Sequence, residues 1–93
     1  MTIGRVHLII SGKVQGVYFR YHTMEKAVEF GLYGWVKNRI DGEVEAVFEG
    51  APIQVNEMVQ WCRTGPPHAN VTDVQEVWEE PTGEFVSFRI KYD

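Results

Sequence analysis

Residues 12–20 read GKVQGVYFR and combine two glycines, a glutamine and two basic residues between an apolar run and a run with helical spacing. A glycine-rich loop that leads from a strand into a helix directs several backbone N–H groups at one point, where the helix dipole adds about half a positive charge. Gly12 and Gly16 permit backbone angles that other residues resist, which suits a loop that closes around a phosphate. The segment is therefore a candidate anion site.

Arg20 falls in the first turn of the predicted helix, where a cation is unfavourable against the helix dipole. This local cost invites a functional explanation, because a guanidinium matches two phosphate oxygens. The alternative is a structural turn followed by a solvated arginine. The segment lacks the GxxxxGK[ST] and GxGxxG patterns of nucleotide-binding loops, so spacing alone leaves both interpretations open.

Asn38 ends the segment GWVKN, three residues before the Asp41-Gly42 turn signal. A neutral amide both donates and accepts hydrogen bonds, so at a strand end it is able to hold a water molecule. The alternative is that Asn38 caps local backbone, as asparagines near turns commonly do.

The elements that position these residues follow from hydrophobic periodicity and turn signals. The predicted strands cover residues 5–11, 32–38, 43–50, 71–78 and 85–92, and the predicted helices cover residues 19–30 and 52–64. We expect the first strand to be buried on both faces, because branched apolar residues dominate it. Asp41-Gly42 predicts a hairpin between the second and third strands.

The two predicted helices have apolar stripes and recognisable ends. In the first, Met24, Ala27 and Val28 form the stripe, and Gly31 is the predicted C′ residue. The second begins at Pro52, a favourable first position for proline, and ends before the Gly-Pro-Pro segment. Its predicted stripe consists of Val55, Met58, Val59 and Cys62.

The order of elements is β-α-β-β-α-β with one further C-terminal strand. Two β-α-β halves of this kind predict an α+β ferredoxin-like sandwich, with a mostly antiparallel sheet and both helices on one face. No linker, low-complexity segment or repeat interrupts the chain, so we expect a single domain over residues 1–93.

Composition narrows the classes of function. The net charge of −4 argues against a nucleic-acid partner, which needs clustered Lys and Arg. No apolar stretch approaches the ~20 residues of a membrane helix, and the start of the chain lacks the pattern of a signal peptide. One cysteine, Cys62, suits a reducing compartment. We therefore predict a cytoplasmic protein with a small-molecule ligand and no nucleic-acid or membrane partner. We also expect a monomer, although composition does not bear on the oligomeric state.

Together, GKVQGVYFR, GWVKN and DGEVEAV resemble the acylphosphatases over essentially the whole chain. In that family a G-x-V-Q-G-V-x-F-R loop carries phosphate and a G-x-V-x-N strand supplies an asparagine. The resemblance implies hydrolysis of the carboxyl-phosphate bond of acyl phosphates, with no cofactor and no metal. Arg20 would then bind the substrate phosphate, and Asn38 would orient the attacking water. The implied phosphate-binding loop consists of Gln15, Gly16, Val17, Tyr18, Phe19 and Arg20.

Two positions depart from the family pattern without touching its fixed residues. Tyr18 occupies the variable slot where many bacterial and archaeal members carry glycine, and Arg39 follows the asparagine where animal members often have threonine. Both are expected to influence substrate preference or affinity.

The remaining chemically capable side chains are expected to be structural. His7, His22 and His68 lack metal-ligand spacing, and His22 is predicted on a helix surface. Cys62 is predicted in the core, where a free cysteine behaves as a small hydrophobe. The solvated face of the third strand is predicted to carry Glu43, Glu45 and Glu49.

Two alternatives to an enzyme remain. An RNA-binding module shares the β-α-β-β-α-β order, but its base-stacking strand is rich in aromatics, whereas GEVEAVFEG is acidic. A non-catalytic anion-binding or regulatory domain is the other alternative, because hydrogenase-maturation carbamoyltransferases carry an acylphosphatase-like domain within a larger protein.

Overall fold

Five strands and two helices follow one another in the predicted order in the computed structural model, which describes residues 2–92. The elements are β1 Gly4–Lys13, α1 Phe19–Glu29, β2 Tyr33–Asn38, β3 Val44–Gly50, α2 Pro52–Thr64, β4 Asn70–Glu79 and β5 Phe88–Lys91. Neither of these helices is long and apolar enough to cross a lipid bilayer.

The strands form one sheet in the order β4-β1-β3-β2-β5. Neighbouring strands are antiparallel except for β5, which runs parallel to β2. Helix α1 packs over β2 and β5, α2 packs over β1, β3 and β4, and the helices also contact each other. Their apolar residues share one buried cluster with the strands. The predicted ferredoxin-like α+β sandwich is confirmed.

Only one face of β1 is fully buried, so the prediction that both faces are buried was wrong. Val6, Leu8 and Ile10 have no exposed surface. The alternating residues of the opposite face, such as His7, remain partly exposed. The reason is that both helices lie on the same side of the sheet, which leaves the other side facing solvent.

The stripe of α1 that faces the core also differs from the predicted one. Its buried residues are Phe19, Thr23 and Ala27, with Met24 partly buried beside them. Val28, which was predicted to lie on the stripe, is 64% exposed. Phe19 is buried at the first turn, and with about 3.6 residues per turn the ninth residue after it lies on the opposite side of the helix.

The other helix predictions are confirmed. Gly31 has φ 71°, and the Leu32 amide after it donates to the carbonyl of Ala27, closing the end of α1. Pro52 occupies the first turn of α2. All four residues of the predicted α2 stripe are buried: Val55, Met58, Val59 and Cys62.

Glu49 is buried, which corrects its assignment to the solvated face of β3. It is 4% exposed and accepts hydrogen bonds from Arg5 Nη1 at 2.9 Å and from the amides of Thr82 at 2.9 Å and Gly83 at 3.2 Å. Through these amides, the segment before β5 contacts the end of β3. The last strand covers Phe88–Lys91, and so it begins three residues later than predicted.

Candidate active site

The segment between β1 and α1 begins at an irregularity in the sheet. The register of β1 against β4 shifts between Ser11 and Gly12. Gly12 has φ 119°, and a Cβ at this position would collide with the carbonyl of Asn70. Gly12 therefore permits the close approach of β4 and does not itself line the anion site, contrary to the role expected for it.

Buried side chains anchor the loop on either side of its turns. Val14, Val17 and Phe19 are 1%, 7% and 1% exposed, and the Phe19 ring packs against Trp61 with ring centres 5.8 Å apart. Between them, Gly16 has φ 74° with open space where a Cβ would be. The buried side chains on both sides of Gly16 therefore fix the path of the loop main chain at the surface.

Gln15 connects this loop to the β2–β3 hairpin. Its side-chain Nε2 donates to the carbonyl of Arg39 at 2.8 Å and to the carbonyl of Glu43 at 3.0 Å. The two carbonyls lie on either side of the hairpin turn, where the Arg39 amide also donates to the Glu43 carbonyl at 2.8 Å. Gln15 thus positions the loop relative to the end of β2.

The N-terminus of α1 lacks the groups that usually satisfy its amides. Its N-cap residue is Tyr18, no side chain caps the first turn, and that turn contains no acidic residue. The amides of a first turn have no partner within the helix and carry partial positive charge. Arg20 adds a full positive charge to the same turn, so this end of α1 is suited to an anion.

Within the described residues 2–92, no carboxylate lies close enough to balance the charge of Arg20. Arg5, Arg39 and Arg63 each lie within 4.0 Å of at least one carboxylate oxygen, whereas neither Arg20 nor Arg89 has an Asp or Glu of residues 2–92 within that distance. The Arg20 guanidinium instead lies over the Tyr92 ring, 5.1 Å from its centre. Its hydrogen-bonding edges are therefore available to a ligand.

Asn38 is the last residue of β2 and pairs with Val44 of β3. Its Oδ1 is buried and has no hydrogen-bond partner among residues 2–92. An unpartnered buried acceptor costs about 1–3 kcal/mol, so a donor supplied by a water molecule or a ligand would stabilise this oxygen. The broad χ2 torsion of asparagine allows this oxygen to turn toward the adjoining cleft.

A cleft of about 420 Å³ brings the predicted site residues together. Its lining consists of Val14, Gly16, Tyr18, Phe19, Arg20, Tyr21, Asn38, Ile90 and Tyr92. Arg20 and Asn38 therefore face one space although 18 positions separate them in the sequence. The side chains of Gln15 and Val17 are directed elsewhere, toward the hairpin and the core, and these residues can offer the cleft only their main chain.

The sequence interpretation missed the C-terminal part of this lining. Tyr92 follows Lys91, which pairs in parallel with Lys37, and Asn38 follows Lys37. The register of β5 on β2 therefore brings Tyr92 beside the end of β2 and over Arg20. No local pattern in the sequence indicates this, because the pairing joins residues more than fifty positions apart.

The other residues considered from sequence lie outside the cleft. Arg39 Nε contacts Asp41 Oδ2 at 3.0 Å, and its Nη1 lies 3.6 Å from Glu45 Oε1, so its charge is balanced locally. His22 is on the helix surface as predicted, 3.2 Å from Glu25. Cys62 is buried as predicted, and burial raises the pKa of its thiol.

The hairpin turn beside Asn38 contains a carboxylate, Asp41, whose charged form is stabilised by its neighbours. The Glu43 amide donates to Asp41 Oδ1 at 3.0 Å, and this bond together with Arg39 holds the pKa of Asp41 below its ordinary value.

Within residues 2–92, no three His, Cys, Asp or Glu side chains are grouped so as to hold a metal ion.

Known proteins resemble this chain over nearly its whole length. The family model described as Acylphosphatase matches residues 6–90. Proteins named Acylphosphatase from Pelotomaculum thermopropionicum and Syntrophus aciditrophicus are 50% and 53% identical to this chain. The first alignment covers 99% of this chain and 100% of the relative, and the second covers 96% and 93%. The crystal structure of acylphosphatase from Bacillus subtilis matches with a TM-score of 0.92 and 35% identity, over 98% of this chain and 100% of that one. The chain therefore belongs to the acylphosphatase family.

Proposed function

We propose that this chain hydrolyses the mixed anhydride of an acyl phosphate to a carboxylate and inorganic phosphate, at the cleft between the 14–18 loop and the end of β2. One observation carries the proposal: Asn38, whose buried Oδ1 has no partner among residues 2–92, lines the same cleft as Arg20. An anion site alone needs only the cation and the amides. The additional acceptor suits a water molecule held next to the bound phosphate.

The phosphoryl group binds at the N-terminus of α1. Main-chain amides from Gln15 to Arg20 donate to its oxygens, and the helix dipole adds to their positive potential. The Arg20 guanidinium contacts two of these oxygens through its planar fork. Charge that develops on the phosphoryl oxygens during transfer is stabilised by donors already in place, which costs no reorganisation at the moment of reaction.

Asn38 orients the attacking water in line with the breaking bond. The water oxygen bonds to phosphorus while the P–O bond of the anhydride breaks, and the carboxylate leaves with the electron pair. No acid is needed for this departure, because a carboxylic acid has a pKa of about 4. An amide cannot accept a proton at neutral pH, so the proton of the water passes to a phosphoryl oxygen of the substrate.

The small number of side chains is adequate for this reaction. Phosphoryl transfer has a loose transition state, so positioning and charge stabilisation supply most of the rate. The cleft provides both, with Arg20 and the amides for charge and Asn38 for position. The same proposal includes the predictions that residues 1–93 form one catalytic domain and that the enzyme is a cytoplasmic monomer needing no metal.

The test is hydrolysis of benzoyl phosphate in the presence of EDTA, with matched substitutions at solvent-exposed positions as controls. Arg20→Ala should lower kcat/KM by about 10³-fold, since a charge that stabilises the transition state is lost. Asn38→Ala should lower kcat by about 100-fold. It should leave inhibition by inorganic phosphate nearly unchanged. Arg89→Ala on β5 and Asn56→Ala on α2, both at exposed positions, should retain the wild-type rate.

Two results would contradict the proposal. The first is a wild-type protein that binds phosphate but turns over no acyl phosphate, which is the behaviour expected of the non-catalytic anion-binding domain. The second is a rate that Arg20→Ala and Asn38→Ala reduce no more than their controls do.

A further inference from the structure

Tyr18 combines a disfavoured backbone with an unburied side chain. It has φ 61° and ψ 27°, and among residues 2–92 it is the one non-glycine residue with positive φ. A bulky residue in this region is a steric outlier, and glycine would adopt the same conformation freely. Outliers of this kind concentrate at functional sites, where surrounding structure maintains them.

The Tyr18 side chain does not compensate by packing into the core. It is 77% exposed, and no side-chain hydrogen bond of residues 2–92 involves it. Neighbouring loop residues Val17 and Phe19 are buried, so the loop is already anchored without it. Tyr18 is nevertheless one of the residues that line the cleft with Arg20 and Asn38.

Other parts of the cleft lining have the same apolar and aromatic character. Tyr21 and Tyr92 are 50% and 79% exposed, and Ile90, two residues before Tyr92, also lines the cleft. The cleft volume of about 420 Å³ lies within the range of about 300–1,000 Å³ typical of small-molecule sites. Phosphate occupies the polar end near Arg20, so the acyl group must meet the remaining walls.

We propose that Tyr18 is a specificity residue whose ring contacts the acyl group, so that the enzyme favours acyl phosphates with a flat aromatic acyl group over those with a small aliphatic one. This inference rests on the proposed hydrolysis of acyl phosphates. An acetyl group is too short to cover the exposed ring, whereas a benzoyl group offers a face for offset or edge-to-face packing.

The experiment compares kcat/KM for benzoyl phosphate and acetyl phosphate. Tyr18→Gly should reduce the ratio of the two values about fivefold, in line with the strength of one aromatic pair. Glycine suits the backbone at this position, so folding is not at risk. Tyr18→Phe retains the ring and should retain the ratio. Tyr33→Ala is the matched control, because Tyr33 is an exposed tyrosine outside the cleft, and it should leave the ratio unchanged.

A binding measurement separates this inference from the proposed function. Benzoylphosphonate and acetylphosphonate are not hydrolysed, and calorimetry should show that Tyr18→Gly weakens binding of the first about fivefold more than of the second. If the wild type binds with this preference but hydrolyses neither acyl phosphate, the proposed function fails and the inference stands. The inference is wrong if hydrolysis occurs but Tyr18→Gly changes neither the kcat/KM ratio of the two acyl phosphates nor the affinity ratio of the two phosphonates. It is also wrong if Tyr18→Phe lowers these ratios as much as Tyr18→Gly does.

Discussion

The side-chain Nε2 of Gln15 lies 2.8 Å from the main-chain carbonyl of Arg39, the residue directly after Asn38. This hydrogen bond joins the loop before α1 to the strand end that carries the proposed water-orienting residue. The bond at 3.0 Å to Glu43 fixes the second side of the same hairpin. Gln15 is therefore a positioning residue, because its side chain holds the loop before α1 at a fixed distance from the end of β2.

We expect Gln15→Ala to lower both stability and kcat. Loss of two hydrogen bonds should reduce the free energy of unfolding by about 1–2 kcal/mol, measured by urea denaturation. The rate should fall about tenfold because the loop and Asn38 are no longer held in register, while inhibition by inorganic phosphate changes less. Gln60→Ala on the exposed side of α2 is the control. An equal effect of the two substitutions on kcat would contradict this role.

Tyr92 supports Arg20 through the contact between its ring and the guanidinium. Tyr92→Ala should raise the inhibition constant of inorganic phosphate about threefold, because an exposed cation–π contact contributes about 0.5–1 kcal/mol. Tyr92→Phe keeps the ring and should bind phosphate like the wild type. If Tyr92→Phe proves as weak as Tyr92→Ala, the hydroxyl and not the ring is responsible.

The backbone of Tyr18 predicts an unusual order of stability. Tyr18→Gly should be more stable than Tyr18→Ala by about 1 kcal/mol, since alanine keeps the left-handed strain and glycine relieves it. The same pair at Tyr33, which lies in β2 with negative φ, should show the opposite order. Denaturation midpoints of the four variants provide the measurement. If the alanine variant is more stable than the glycine variant at both positions, the backbone of Tyr18 is not strained.

Glu49 should make the fold sensitive to acid. Burial raises the pKa of its carboxyl, but the Thr82 amide, the Arg5 guanidinium and the Gly83 amide outweigh burial and hold the pKa below the ordinary 4.5. A carboxyl with a lower pKa in the folded state contributes stability that is present above the ordinary pKa. That contribution is lost as the pH falls through the folded value.

Urea denaturation at a series of pH values tests this expectation. Wild-type stability should decline below about pH 4.5. Glu49→Gln should be less stable at pH 7 by about 2 kcal/mol and should show a flatter decline. Glu57→Gln, on the exposed side of α2, is the control and should follow the wild type. If the stability of Glu49→Gln declines with pH in parallel with that of the wild type, Glu49 is not the source of the acid sensitivity.

Much of the fold was predictable because its signals are local. Gly31 ends α1, Pro52 begins α2, and Asp41-Gly42 forms the hairpin turn, each through the backbone preference of one or two residues. The stripe of α2 was also correct. Its apolar residues repeat at helical spacing without a competing stripe, so the sequence alone identifies the buried face.

The predictions that failed concern burial decided by distant elements. Val28 is apolar but exposed, because Phe19 determines which side of α1 faces the sheet. Glu49 is charged but buried, because Arg5 and the amides of the segment before β5 surround it. Neither outcome is visible in a window of neighbouring residues, since both depend on which side chains the sheet brings together.

By itself, the sequence determined the order of elements and the glycine-rich loop, because residue type and spacing carry that information. The resemblance to the acylphosphatases then singled out the two residues proposed for catalysis. Tertiary structure decided how they meet. Pairing of β5 with β2 places Tyr92 over Arg20, and Gln15 bridges the loop to the hairpin. The positive φ of Tyr18 likewise belongs to the folded loop. The two contacts join residues far apart along the chain, and packing and sheet register fix them only once the domain has folded.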